Sequence, residues 1–265
     1  MSNQTRDDEL LDVLHKRCTI LEAVSDQPYT KPELVDVIGT SRSTIDRGIG
    51  DLKSVGCVER HNGKYSLTTK GRLALAEYTK YTDIVENLGR AGEILNYLPS
   101  DSPVSQAFLD DVSVYSSNPN VPDSALEASN KLLSSSTRLV GLAPTALSTY
   151  PHIIESSMRD QGISTEIVIE ETVLDSIIEV RGEIMSRLAS HEDVQFYRTD
   201  AELPYALWII EQEDGATAGI TVYENGGIQG VLMNDNPAAV SWARDVYREH
   251  RDCAVEARVS LESVK

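Results

Sequence analysis

The chain has 265 residues, 40% of them hydrophobic, enough for two cored domains rather than one small module. Its net charge of −18, from 24 basic and 42 acidic residues, excludes a polyanion-binding surface spread over the whole molecule. No apolar run approaches the ~20 residues that span a bilayer, and the first ten residues are polar and acidic, so no membrane partner and a cytoplasmic location are expected.

Residues 7–24 read as a helix, with Leu10, Leu11, Leu14, Ile20, Leu21 and Val24 at helical spacing behind an acidic first turn. Thr30-Lys31-Pro32-Glu33 fits a capping box, in which Thr30 accepts from the helix N-terminus while Glu33 reaches back, and it opens a short helix to Ile38. Gly39 ends that helix. After a tight Gly39-Thr40 connection, a third helix is predicted over residues 41–55, which gives the spacing of a helix-turn-helix. On it Ile45, Gly48, Ile49 and Leu52 share one face, and Ser43, Arg47, Gly50 and Ser54 share the other. The second face suits a major groove: small residues allow close approach, and an arginine bonds guanine O6 and N7 in bidentate fashion. Arg42 at the helix start adds a phosphate contact.

Residues 56–60 and 64–67 are two strand-like runs joined through His61-Asn62-Gly63, and Asn-Gly is the strongest short hairpin signal. A basic-tipped hairpin directly after such a helix reads as a wing, with His61, Asn62 and Lys64 placed to reach the DNA backbone or minor groove. Charge agrees with this assignment. Residues 39–72 carry seven basic and three acidic side chains, whereas the excess of acid lies wholly beyond residue 80. Lysine is scarce beside arginine, eight against sixteen, a surface chemistry associated with a salt-rich, halophilic cytoplasm.

The phrases Ser41-Arg42-Ser43-Thr44-Ile45-Asp46-Arg47, Gly56-Cys57-Val58-Glu59-Arg60 and Gly63-Lys64-Tyr65-Ser66-Leu67-Thr68-Thr69-Lys70-Gly71-Arg72 together resemble archaeal winged-helix transcriptional regulators. The resemblance covers roughly residues 7–78. It implies that the helix holding Ser43, Thr44 and Arg47 reads double-stranded DNA in the major groove. Asp46 and Asp51 are less typical of a DNA face; they cap neighbours or exclude wrong bases.

A long helix follows to about Leu95, along which Ala74, Tyr78, Tyr81, Val85, Leu88, Gly92 and Leu95 recur at heptad spacing. Tyr78, Tyr81, Val85 and Leu88 are the expected dimerisation residues of a homodimer; the alternative is a connector packed on its own subunit. Residues 96–124 are rich in Pro, Ser, Asn and Asp and read as an irregular link with a short strand at 112–115. Beyond them helices at 123–134, 146–161 and 171–189 alternate with strands at 137–141, 165–169 and 194–199, which predicts βαβ crossovers and a mainly parallel sheet. Runs at 206–211, 216–223 and 227–233 are joined by short turns and predict an antiparallel meander, covered by a last helix at 237–250. The expected organisation is therefore a winged helix-turn-helix over 1–70, a linker or dimerisation helix over 71–98, and an α/β regulatory domain with a mixed sheet over 99–265.

That second domain, with Leu203-Pro204-Tyr205-Ala206-Leu207 before a strand and Asp235-Asn236-Pro237 before the final helix, is similar to the C-terminal domain of an archaeal regulator family named for control of methanogenesis and filamentation. The similarity implies a regulatory domain related to the phospholipase-D-like sheet, without catalysis. The residues agree: that chemistry needs a nucleophilic His and a Lys two residues on, and none of the five histidines has one. No catalytic residue is assigned. Cys18, Cys57 and Cys253 lie far apart without a C-x-x-C pair or a nearby His, so neither a metal nor a cofactor is expected. A crevice at the C-terminal strand ends is the expected place for a small-molecule effector, with His152, Glu170, Tyr197, Tyr205 and Trp208 as its wall. The function expected from the sequence is a dimeric, effector-responsive, sequence-specific DNA-binding transcriptional regulator. Its alternative is a winged-helix adaptor that contacts proteins of the transcription machinery.

Overall fold

The computed structural model describes residues 4–257 and 259, with side chains from residue 9 onward. The chain divides into two compact units, Met1–Val85 and Glu86–Lys265, and no helix among the described residues is long and apolar enough to cross a membrane.

In the first unit, helices α1 (Gln4–Asp26), α2 (Lys31–Ile38) and α3 (Arg42–Ser54) precede an antiparallel hairpin, β1 (Val58–His61) and β2 (Lys64–Leu67). The capping box forms as the sequence predicts: the Thr30 N–H donates to Glu33 Oε2 at 2.7 Å and the Glu33 N–H to Thr30 Oγ1 at 3.4 Å. Gly39 ends α2 in the left-handed region, φ 71°, where a side chain would be strained. The core joins Leu21, Leu34, Ile45, Ile49 and Leu52, each almost wholly buried. Gly48 is buried too, because a Cβ there would stand 2.3 Å from Ile20 Cδ1; α1 crosses α3 at this glycine. Asn62 and Gly63 take φ 49° and 86°, the two positive values that a two-residue hairpin turn needs to match strand twist. Tyr29 bridges to β2 from outside the hairpin, its N–H and C=O exchanging bonds of 3.1 and 2.7 Å with Tyr65, which ties the start of α2 to the hairpin.

Helix α4 (Thr69–Leu95) does not form a separate linker segment over 71–98. Ala74, Leu75 and Tyr78 pack in the first core, whereas Ala91, Ile94 and Leu95 pack in the second, because each end of the helix carries its own apolar face. Gly71, in its first turn, lies so close to the Cys57 carbonyl that a Cβ would stand 1.9 Å from the oxygen. Tyr78 is no part of an outward seam. It is 8% exposed, and its hydroxyl lies 2.9 Å from His15 Nδ1 on α1, so its face of α4 is already used within the subunit. Tyr81, Val85 and Leu88 remain 57%, 48% and 45% exposed.

The second unit runs through α5 (Gln106–Leu109), β3 (Ser113–Ser116), a 3-10 turn (Pro122–Leu126), α6 (Glu127–Leu133), β4 (Arg138–Ala143), α7 (Tyr150–Gln161), β5 (Ser164–Glu170), α8 (Glu171–Ala189) and β6 (Val194–Thr199). It continues through β7 (Ala206–Gln212), β8 (Gly215–Glu224), β9 (Gly227–Asn234), α9 (Pro237–Cys253) and β10 (Val255–Glu256). Among the described residues these strands make an eight-stranded sheet in the order β10-β6-β5-β4-β7-β8-β9-β3. Only β4-β5 and β5-β6 pair in parallel, so the sheet is mixed and mainly antiparallel rather than mainly parallel. The reason is that only two connections contain crossover helices; the meander and both edge strands pair antiparallel. Right-handed crossovers that advance in one direction put α7 and α8 on the same face, where Ile154, Ile177, Ile184 and Leu188 cover Leu139, Ile169 and Phe196. The other face is closed by α9, α5 and the end of α4, through Val240, Ala243, Phe108 and Ile94. Helix α7 begins at Tyr150, later than its apolar pattern at 146, because Pro151 fits only the first turn of a helix.

Candidate nucleic-acid interface

Helix α3 is held by Ser41, whose hydroxyl accepts from the Thr44 N–H at 3.2 Å and lies 3.0 and 2.8 Å from the hydroxyls of Ser43 and Thr44. The cap therefore engages two of the three side chains that the sequence offered as base readers, Ser43 and Thr44, and Thr44 is half-buried. Ser43, Arg47, Gly50 and Ser54 are exposed on the outward face, with Arg42 exposed at its start.

The two carboxylates of α3 do not oppose this face. Asp46 binds Lys31 of α2 at 2.7 Å, and Asp51 binds Arg17 of α1 through Nη2 at 2.9 Å and Nε at 3.0 Å. The Lys31 contact holds the Asp46 carboxyl below the usual carboxylate range. The Arg17 stem reaches Asp51 by crossing Gly48, where it has 3.2 Å to a would-be Cβ, so one small residue serves both packing and charge pairing. Arg42 and Arg47 make no ion pair among the described residues, although Arg42 is near enough to help Lys31 lower the Asp46 carboxyl. Lys31 and Arg17 were not legible as part of this site, since nothing in the sequence marks a pairing across 15 or 34 positions.

At the hairpin, His61, Asn62 and Lys64 are all exposed around the turn. Lys64 shares its charge: its Nζ lies 3.8 Å from Glu33, whose carboxylate is held ionised first by the Thr30 N–H and more weakly by Lys64. Because β2 is bridged to Tyr29, one residue before the cap of α2, this tip is fixed to the same frame as α3.

Gly50 is a local weakness with open space around its would-be Cβ. Glycine inside a helix costs about 0.5–1 kcal/mol relative to alanine, so Gly50→Ala is expected to stabilise the protein by about that amount in urea unfolding. A site that gives up stability to stay flat suits close approach of a backbone or a base edge.

The five residues expected to wall an effector crevice are not brought together. His152 is exposed on α7, and the Glu170 carboxylate accepts the Leu203 N–H at 2.8 Å. Tyr197 lies under the Arg251 guanidinium, 3.2 Å from ring centroid to Cζ, and Tyr205 donates its O–H to the Pro103 carbonyl at 2.8 Å. Those two rings belong to the core on the α9 face, whereas Trp208 lies on the α7 and α8 face. Alternation along the strands separates them.

Comparisons with known proteins divide along the two units. Residues 6–90 match the family model described as the HVO_A0261 N-terminal domain. Residues 122–253 match the model described as methanogenesis regulatory protein FilR1, middle domain. A regulatory-protein domain thus matches the larger unit. No curated protein matches the chain. Among solved structures, TrmBL2, an archaeal chromatin protein described as showing a novel mode of DNA binding, is 12% identical, with 94% of this chain and 99% of that one covered at a TM-score of 0.43. NucT from Helicobacter pylori is 14% identical, with 56% and 99% covered at 0.41. The phospholipase D family member Nuc from Salmonella typhimurium is 11% identical, with 56% and 98% covered at 0.39.

Proposed function

We propose that this protein is a transcription regulator whose first unit is a winged helix-turn-helix that reads double-stranded DNA, and that it works as a homodimer responsive to an effector in the second unit. The observation that carries the reading is the outward face of α3: it is flat at Gly50, its two acids are ion-paired to α1 and α2, and exposed Arg42 and Arg47 make no ion pair. A regulatory-protein family model over the second unit supports the same conclusion. The acidic, lysine-poor remainder suits a salt-rich cytoplasm, where counterion release contributes little and base contacts must supply more of the affinity.

Mapping of bound genomic DNA followed by anisotropy titration tests the proposal. Arg47→Ala is expected to cost about 1–3 kcal/mol on the preferred sequence and to relax the base preference. Lys64→Ala is expected to weaken all sequences alike, with a salt slope reduced by less than about one because Glu33 already takes part of its charge. A folded Arg47→Ala protein that binds every duplex as the parent does would remove the groove assignment, and binding to transcription proteins without DNA would favour the adaptor. The second unit acts by binding rather than hydrolysis on this reading, since the sequence supplies no His-x-Lys.

A further inference from the structure

We propose that the second unit holds a buried site for a small, neutral, apolar ring, the size of a substituted benzene, between its sheet and the crossover helices α7 and α8. A cavity of about 130 Å³ lies there, walled by Leu139, Ile169 and Trp208 from the sheet, Ile154 from α7, and Ile177 and Met185 from α8. Protein cores are packed as densely as organic crystals, and a void of ~150 Å³ lined by aliphatic and aromatic side chains stays dry and takes up benzene. The volume therefore selects one ring or a branched hydrocarbon of similar bulk.

The lining fixes the charge of the ligand. It contains no carboxylate, amine, guanidinium or imidazole, so an ionised ligand would surrender its hydration without a partner. Several of its polar atoms are occupied from within: Trp208 Nε1 donates to Thr221 Oγ1 at 3.1 Å, Ser129 Oγ donates to the Leu126 carbonyl at 2.9 Å, and the Tyr150 hydroxyl lies 3.3 Å from that of Tyr223. What remains are the hydroxyl hydrogen of Thr221, the Asn130 amide and the Thr145 hydroxyl, neutral groups that can meet a polar substituent on the ring.

Two features distinguish the cavity from a packing flaw. Trp208 pairs across the sheet with Gly141 on one side and Gly219 on the other. Its indole covers Gly219, where a Cβ would fall 2.0 Å from the ring, and Gly141, where a Cβ would stand 2.8 Å from the Leu207 carbonyl oxygen, lines the cavity without a side chain. Over the cavity, α8 loses helical geometry at Arg181 (φ −138°, ψ 31°), midway between the lining residues Ile177 and Met185. Arg181 Nε donates to the Ser148 carbonyl at 3.3 Å, in the loop whose Thr145 and Ala146 also line the cavity. A broken helix clasped to an irregular loop is the natural mouth. The site reaches the C-terminal end of β4, where Ala143 lines it, and of the five residues expected from the sequence to wall a strand-end crevice only Trp208 does so.

The test uses the full chain without DNA, with toluene, 4-methylphenol and benzoate as probes. Thermal unfolding and the emission of Trp208 in a Trp242→Phe background are followed. Toluene and 4-methylphenol are expected to raise the Tm by about 4–10 °C at a hundredfold excess over Kd and to alter the Trp208 emission, while benzoate does neither. Ala206→Leu and Ala143→Leu each add bulk to the lining and are expected to remove both responses while keeping the parent circular dichroism; two positions guard against one misfolding. No response to either neutral probe up to its solubility, an equal response to benzoate, or responses undiminished in both filled variants would overturn the proposal. A role for this ligand as effector rests on the DNA-binding reading, and it is tested separately by repeating the DNA titration with toluene present.

Discussion

Alanine in place of Gly71 is expected to destabilise the first unit by about 3 kcal/mol, the upper end of the range for overpacking. The added Cβ would meet backbone rather than a side chain, 1.9 Å from the Cys57 oxygen and 2.8 Å from its carbon. Neither partner can retreat. The Cys57 N–H is bonded to Leu52 at 2.9 Å, its carbonyl accepts from Thr68 at 3.0 Å, and the Gly71 N–H is held by the Thr68 hydroxyl at 3.0 Å. In a domain of this size the change amounts to a fall of roughly 12–24 °C in the midpoint of the first unit, read by calorimetry. Gly48→Ala is the control. It meets only side chains, the tip of Ile20 at 2.3 Å and the Arg17 stem at 3.2 Å, both of which can turn, and should cost far less. Equal midpoints for the two variants would mean that the junction between β1 and α4 yields, and that the close approach is not needed.

If the proposed homodimer forms along α4, glutamate at both Tyr81 and Val85 is expected to leave a monomer and to lower affinity for the preferred DNA by about a hundredfold or more. The two side chains stand 57% and 48% exposed on one side of α4, near Leu88 at 45%, a contiguous apolar stripe that is costly to leave in water. Paired half-sites bound by a dimer gain from effective concentration, typically 10²–10⁴ over one head alone, and that gain vanishes when the dimer does. Sedimentation velocity and operator titration on the same sample decide the matter. A dimer that persists with unchanged binding would move the interface away from this stripe. Tyr78 is excluded from the design, because its loss would break the His15 contact and the first core together.

The local features were legible because their causes are local. Thr30 with Glu33, Gly39, and Asn62-Gly63 each declare a cap or a turn within four residues, and the outward face of α3 follows from its period alone. Where partners are distant, the sequence misled. Heptad spacing put Tyr78 in an outward seam, while a histidine 63 positions earlier claims it. The alternation of strands and helices over 137–199 suggested a parallel sheet, but it describes only β4, β5 and β6. Tyr197, Tyr205 and Trp208 looked like one wall because they are close in sequence; the pleat and the chain direction assign them to opposite faces. The neutralisation of Asp46 and Asp51 was invisible for the same reason, since its cations arrive from other helices.

The pairing of β3 with β9 has a consequence for the order in which the chain becomes a protein. Ser113 finds its partner Met233 only about 120 residues later, and the Asn234 side chain then donates to the Phe108 carbonyl at 3.0 Å. The first unit draws on contacts among its own 85 residues and has all its material as soon as they have left the ribosome. The second unit has no such shortcut. Its sheet stays open at one edge until the meander has been synthesised, and closing a loop of that length before any contact rewards it is slow. The emerging first unit should therefore be folded while the cavity-bearing sheet is still incomplete. A nascent chain stalled short of residue 230 would present the first without the second.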